Sequence, residues 1–213
     1  PLLTASLRLS TDAFDASDAS PLNRVDDTVR LALADFLSHT SQGLTGDKLD
    51  VNVVKQNIGA IVVENESLRF VDSAVTLPEI SHAAVLAISR RQFEEATDVY
   101  NCLLNSCQNA SGPKIGLVGQ LIASTLHNLS VLHLWQQEYD RALPCCREAL
   151  KIKKEVEGNE GDSIDLWANL GLINYAIGSA PSALAAFRMA SQISSKFFPD
   201  DHLMGRLMNN MAV

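Results

Sequence analysis

The sequence predicts an all-α solenoid of stacked helical hairpins, and three observations carry that prediction. Asn128, Asn169 and Asn210 recur at a spacing of 41 residues, within the related segments LHNLSVL, WANLGLI and LMNNMAV. Small residues keep the same period: Ser130 and Gly171 are followed 12 residues later by Ala142 and Ala183, and seven further on by Ala149 and Ala190. The stretches between them have helical periodicity, as where Ala142, Leu143, Cys146, Ala149, Leu150 and Lys153 trace one stripe between Tyr139 and Val156. Small residues at such points let two helix axes approach closely, while Leu126, Leu129, Leu143 and Leu150 fill the seam. A hairpin of this size cannot bury its apolar face alone, so copies must stack.

Taken in order, residues 1–20 are rich in Ser, Asp and Ala and read as a flexible or partner-ordered arm. A helical extension over 21–75 follows. Within it, Ser20 is a candidate N-cap, Pro21 a first-turn proline, and Val25, Val29, Leu33, Phe36 and Leu37 share a face of a helix ending near His39. Gly43 and Gly46 punctuate its exit. Residues 47–66 carry conflicting signals. Val54, Ile58, Ile61 and Val62 have helical spacing, whereas Gly59 and the β-branched run from Ile61 to Val63 oppose a helix; a helix is the reading adopted, with strand as the alternative. The array then spans 77–213. Its units are a degenerate first copy over 77–111, copies at 120–160 and 162–199, and an incomplete copy from about 203. In the first copy Ala84, Ala96 and Leu103 sit at the equivalent offsets and FEEA matches YDRA, with a linker longer by five residues. Pro144 is expected in the first turn or two of its helix and Pro181 at the start of the next, where the missing N–H costs least. Gly158 and Gly161 stop the helix whose last turns carry Lys151, Lys153 and Lys154, cations suited to a helix C-terminus.

These offsets resemble the tetratricopeptide repeat, whose signature is Trp-x2-Leu-Gly-x2-Tyr followed by small, aromatic and small residues. Trp167, Leu170, Gly171, Ala183, Phe187 and Ala190 match it at six positions, and Asn174, beside Tyr175, replaces the tyrosine. In the second copy His133 takes that slot and Cys146 the aromatic one. The longer period and the segment from Ser124 to Gly158 are similar to the kinesin light chain variety. The resemblance implies a right-handed superhelix with a concave groove that binds protein segments, lined by the inner helix of each hairpin. It places His82, Asn128, Asn169 and Asn210 at the groove position before the Leu-Gly pair, where a carboxamide can both donate to and accept from an extended peptide backbone. Helical phase adds Ser124, His127, Asp165, Arg206 and Asn209 to that face. The lysine slot of the carboxylate-clamping version is held here by His127, Ala168 and Asn209, so an internal or basic segment suits this groove better.

The chemistry-bearing residues form no catalytic or metal constellation, so a non-enzymatic protein with no cofactor is expected. Gly112, Gly116 and Gly119 lack the Lys-Ser/Thr ending of a phosphate loop. His127 and His133 belong to no zinc spacing. Cys102, Cys107, Cys145 and Cys146 read as free thiols in or near a core. The chain of 213 residues has 17 Lys plus Arg against 25 Asp plus Glu, a net charge of -8 that argues against nucleic acid and for a basic partner. No apolar run is long enough to span a membrane, and a soluble or peripheral protein is expected. Apolar residues reach 46%, with a mean hydropathy of +0.05. Two readings follow: an adaptor or scaffold that holds a partner in the groove, or a structural subunit of a multiprotein assembly held by its convex face, N-terminal arm and apolar edge near Val213. Beginning at Pro1 and stopping inside a hairpin, the chain is expected to be processed or part of a longer one.

Overall fold

The computed structural model describes residues 51–64, 67–71, 77–110, 116–156 and 163–197. The expected arm, the 21–39 helix and the copy from 203 lie outside these residues. Six of the described helices form three consecutive hairpins. Leu77–Ser89 (α2) pairs with Phe93–Gln108 (α3), Leu117–Trp135 (α4) with Tyr139–Val156 (α5), and Ile164–Ala176 (α6) with Ala180–Phe197 (α7). Each second helix also packs on the first helix of the next hairpin, α3 on α4 and α5 on α6, so the units stack in chain order as a helical solenoid.

The repeat is written into the backbone of the three turns. Arg91, Gln137 and Gly178 have φ of 60°, 60° and 80°, and their N–H groups bond back to the carbonyls of Ile88, Leu134 and Tyr175 at 2.9, 3.0 and 2.9 Å. The next N–H groups, of Gln92, Glu138 and Ser179, reach the carbonyls of Ala87, His133 and Asn174 at 2.9, 2.8 and 2.8 Å. This is a Schellman closure, which consumes carbonyls a helix end otherwise leaves unpaired. A left-handed residue favours glycine, and only the third turn has one. Arg91→Gly and Gln137→Gly should therefore each stabilise the protein by roughly 0.5–1 kcal/mol and Gly178→Ala should destabilise it by about 1 kcal/mol, as urea titration would show.

The close-packing positions are all interior. Ala84, Ser130 and Gly171 are buried, as are Ala96, Ala142 and Ala183 near the start of the partner helices and Leu103, Ala149 and Ala190 further along. Pro144 stands in the second turn of α5 and Pro181 in the first turn of α7. The central helix α4 is buried from Val118 to Trp135 except at Gln120 and Ser124, which makes it the spine of the described core.

Ahead of the hairpins the structure corrects the helix expected over 47–66. A short helix, Val51–Gln56 (α1), ends before Gly59, and Ala60–Glu64 (β1) then pairs antiparallel with Ser67–Val71 (β2) in the register Ala60 to Val71 through Glu64 to Ser67. The β-branched run from Ile61 to Val63 prefers an extended backbone, and SLRFV supplies the partner strand that converts this preference into a ladder. Val51 and Val54 anchor α1 in the core; α1 packs on α2 and α3, β1 on α3, and β2 on α4.

Candidate functional site

The inner helices α2, α4 and α6 carry the residues expected to line a groove, and their fates differ. Asn128 and Asn169, expected to bond an incoming peptide, are only 3% and 2% exposed. Asn169 Nδ2 donates to His127 Nε2 at 2.8 Å, joining α6 to α4. Because an amide nitrogen can only donate, Nε2 accepts and the neutral ring carries its proton on Nδ1. The Asn128 side chain hydrogen-bonds the phenol of Tyr100 on α3, in the hairpin before its own; burial pushes that phenol well above its ordinary range and this bond opposes the shift. The carboxamides are thus turned sideways into the joints between hairpins. Burial explains this placement, since a buried amide left without partners costs about 1–3 kcal/mol.

Of the other expected residues, Ser124, near the middle of α4, and Asp165, in the first turn of α6, are half-buried. His82 falls within α2, while Arg206, Asn209 and Asn210 lie outside the described residues. Sequence reasoning missed Tyr100 as the mate of Asn128. The signal was present: Tyr100 occupies the aromatic slot that Phe187 fills in the third hairpin, and among the three copies it alone brings a hydroxyl there.

That aromatic slot also sets how closely each pair of helices packs. Gly171 lies so near the Phe187 ring that an added Cβ would sit 2.8 Å from Cζ. In the second hairpin Ser130 replaces the glycine and Cys146 the phenylalanine; Ser130 Oγ donates to the His127 carbonyl at 2.7 Å, and Cys146 Sγ donates to the Leu166 carbonyl of the next hairpin at 3.3 Å. The tyrosine slot of the repeat is likewise filled by residues that satisfy themselves: Asn174 Nδ2 donates to the Leu170 carbonyl at 2.7 Å, and His133 Nδ1 pairs with Glu138 Oε2 at 2.8 Å.

The thiols are suited to packing. Burial pushes Cys107 and Cys146 from the ordinary 9.0 up to about 12, and burial also raises Cys102 and Cys145. At neutral pH all four are held as thiols, the form that is a poor nucleophile. For Cys107 and Cys146 the unfolded chain gives up protons before the folded one does. Their contribution is complete below pH 9 and is lost as pH rises towards 12, so stability should fall across that window. Iodoacetamide at pH 8 should modify Cys107 and Cys146 only on unfolding, while Cys102 and Cys145, being half-exposed, react first; peptide mapping reads both.

Among the described residues no cluster of three His, Cys, Asp or Glu is placed to hold a metal ion, and no helix is long and apolar enough to cross a membrane. One side of α6 is left partly open. Asp165, Ala168, Tyr175 and Ala176 are half-buried around the buried Leu172, an apolar strip with an acidic end. Residues 121–196, from α4 into α7, match the family model of the tetratricopeptide repeat. The chain has no significant match among curated proteins.

Proposed function

We propose that this tetratricopeptide-repeat protein is a non-enzymatic adaptor that holds a segment of a partner protein against the inner face of its helical array. Tetratricopeptide repeats are a non-catalytic, protein-interaction architecture, and that general role supports the reading. The observation that carries it further is the inner face of α6, where Tyr175 and the small residues Ala168 and Ala176 flank Leu172 beside Asp165. Shallow apolar relief of this kind accepts side chains of an extended segment, and the carboxylate, in a chain of net charge -8, selects for a basic residue. Asn128, Asn169 and His127 serve this surface indirectly by fixing how successive hairpins sit. Ser124 and Asp165 remain its polar contacts, and Arg206, Asn209 and Asn210 are proposed to extend it.

The test is selection from a displayed peptide library, followed by titration with the paired variant Asp165→Lys/Tyr175→Ala, whose fold is checked by circular dichroism. Enrichment of basic, apolar peptides that the folded variant binds at least tenfold more weakly is the expected result. An unenriched library, or equal binding by the variant, would refute the groove.

A further inference from the structure

We infer that α5 presents a second recognition surface, separate from the groove, which takes an acidic segment of a partner protein that also bears large apolar residues. Leu143, Arg147, Leu150, Lys151 and Lys154 share one side of α5, within roughly 100° of its circumference. The three cations are exposed, and the two leucines among them are half-buried and packed against the core. Lys151 Nζ lies 3.4 Å from Glu148 Oε1, whereas Arg147 and Lys154 enter no ion pair among the described residues. The fold does not require this chemistry. The counterparts on α3, which are Thr97, Asn101, Leu104, Asn105 and Gln108, carry no charge, and of those on α7 only Arg188 does. Cations in a last turn complement the helix dipole, which accounts for Lys154 but not for Arg147 in the middle of α5. The helix has five Lys and Arg against three Asp and Glu, in a chain with 17 against 25, so its positive charge is a local feature of an acidic protein. Two cations without partners select carboxylates. Exposed ion pairs alone contribute little, and the half-buried leucines give an apolar side chain of the same segment a place to leave water. Nucleic acid is a poorer match, because its phosphate backbone brings nothing apolar to Leu143 and Leu150 and the net charge of -8 opposes its approach.

The probes are displayed peptides built from Asp, Glu, Leu, Phe, Ser and Gly, selected on the full chain and then titrated. Enriched peptides should combine acidic with large apolar residues and bind Arg147→Ala/Lys154→Ala about tenfold more weakly or worse. The paired variant Arg90→Ala/Arg91→Ala removes the same charge at the exposed turn between α2 and α3 and should bind them within about twofold of the parent. All four positions are exposed, so the fold should survive, as circular dichroism checks; should the α5 variant lose its helices, Arg147→Gln/Lys154→Gln replaces it. The groove variant Asp165→Lys/Tyr175→Ala should bind these peptides no more weakly than the parent, so the groove can fail while this surface stands, and the reverse. Absence of enrichment, equal loss in the two arginine-bearing pairs, or loss confined to the groove variant would overturn the inference. So would a single-stranded oligonucleotide that binds as tightly as the peptides and is weakened as much by Arg147→Ala/Lys154→Ala. Enrichment that appears only after Asp12, Asp15 and Asp18 are changed to Ser would assign the surface to the chain's own acidic residues and overturn the partner likewise.

Discussion

Gly171→Ala is expected to destabilise the protein by about 1–3 kcal/mol, the usual penalty for inserting a methyl group into a packed core. The new Cβ would meet the Phe187 ring at Cζ, Cδ1 and Cε1, all under 3.0 Å. Phe187 is itself 2% exposed, so the ring has no solvent to retreat into and either it or the crossing of α6 and α7 must shift. One term opposes this loss. Alanine favours a helix over glycine by roughly 1 kcal/mol, which offsets part of the clash, and Gly171 needs no special backbone conformation, so no φ strain is involved. The steric term wins because the contact is with a buried aromatic ring. Phe187→Leu in the Gly171→Ala background should recover part of the loss, although alone it should cost stability by opening a void. Thermal unfolding of the four proteins measures this: for a chain of this length each kcal/mol moves the midpoint by roughly 2–4 °C. Equal stability of Gly171→Ala and the parent would mean that the glycine is not set by its approach to Phe187.

The same pair shows which parts of the fold were legible in the sequence. Ser130, Gly171 and their alanine partners could be assigned to a close crossing without coordinates because the size of a residue and its spacing are both written in the chain. The turns were legible only in part. Gly178 advertises a left-handed residue, whereas Arg91 and Gln137 adopt the same conformation under the constraint of the repeat. The β-hairpin was missed because β1 in isolation also carries helical spacing, and strand identity depends on a partner strand that local periodicity does not report.

Legibility failed differently at the candidate site. Position along a helix told which azimuth Asn128 and Asn169 occupy, and both do lie on inner helices. Azimuth does not tell whether a neighbouring helix has already reached that side chain. In an array the interface between hairpins runs close beside the groove, and a small rotation separates a ligand from a joint. Tyr100 and His127 decide the matter because each brings a polar atom to the asparagine of the next hairpin. Two joints with different chemistry, phenol to amide and amide to imidazole, also distinguish the first stacking step from the second. Polar pairs of this kind specify which surfaces meet, a task that interchangeable apolar residues perform less selectively.

From this follows the second large effect. Asn169→Ala and His127→Ala should each lower stability by about 1–3 kcal/mol, because each takes away the 2.8 Å hydrogen bond of a buried polar atom on its mate. The double variant should lose less than the sum, with a coupling of about 0.5–3 kcal/mol. A groove ligand behaves otherwise: its truncation leaves the stability of the free protein within about 0.5 kcal/mol and alters only binding. Urea unfolding of the two single variants and the double variant, without any ligand present, therefore separates the roles. A second signature comes from the position of the pair between α4 and α6. If it joins hairpins, its loss should loosen the third hairpin before the second, and hydrogen exchange should accelerate in α6 and α7 while the buried amides of α4 stay protected. Additive single variants with uniform exchange would show that the amide and the ring, though 2.8 Å apart, are not what keeps the third hairpin in place.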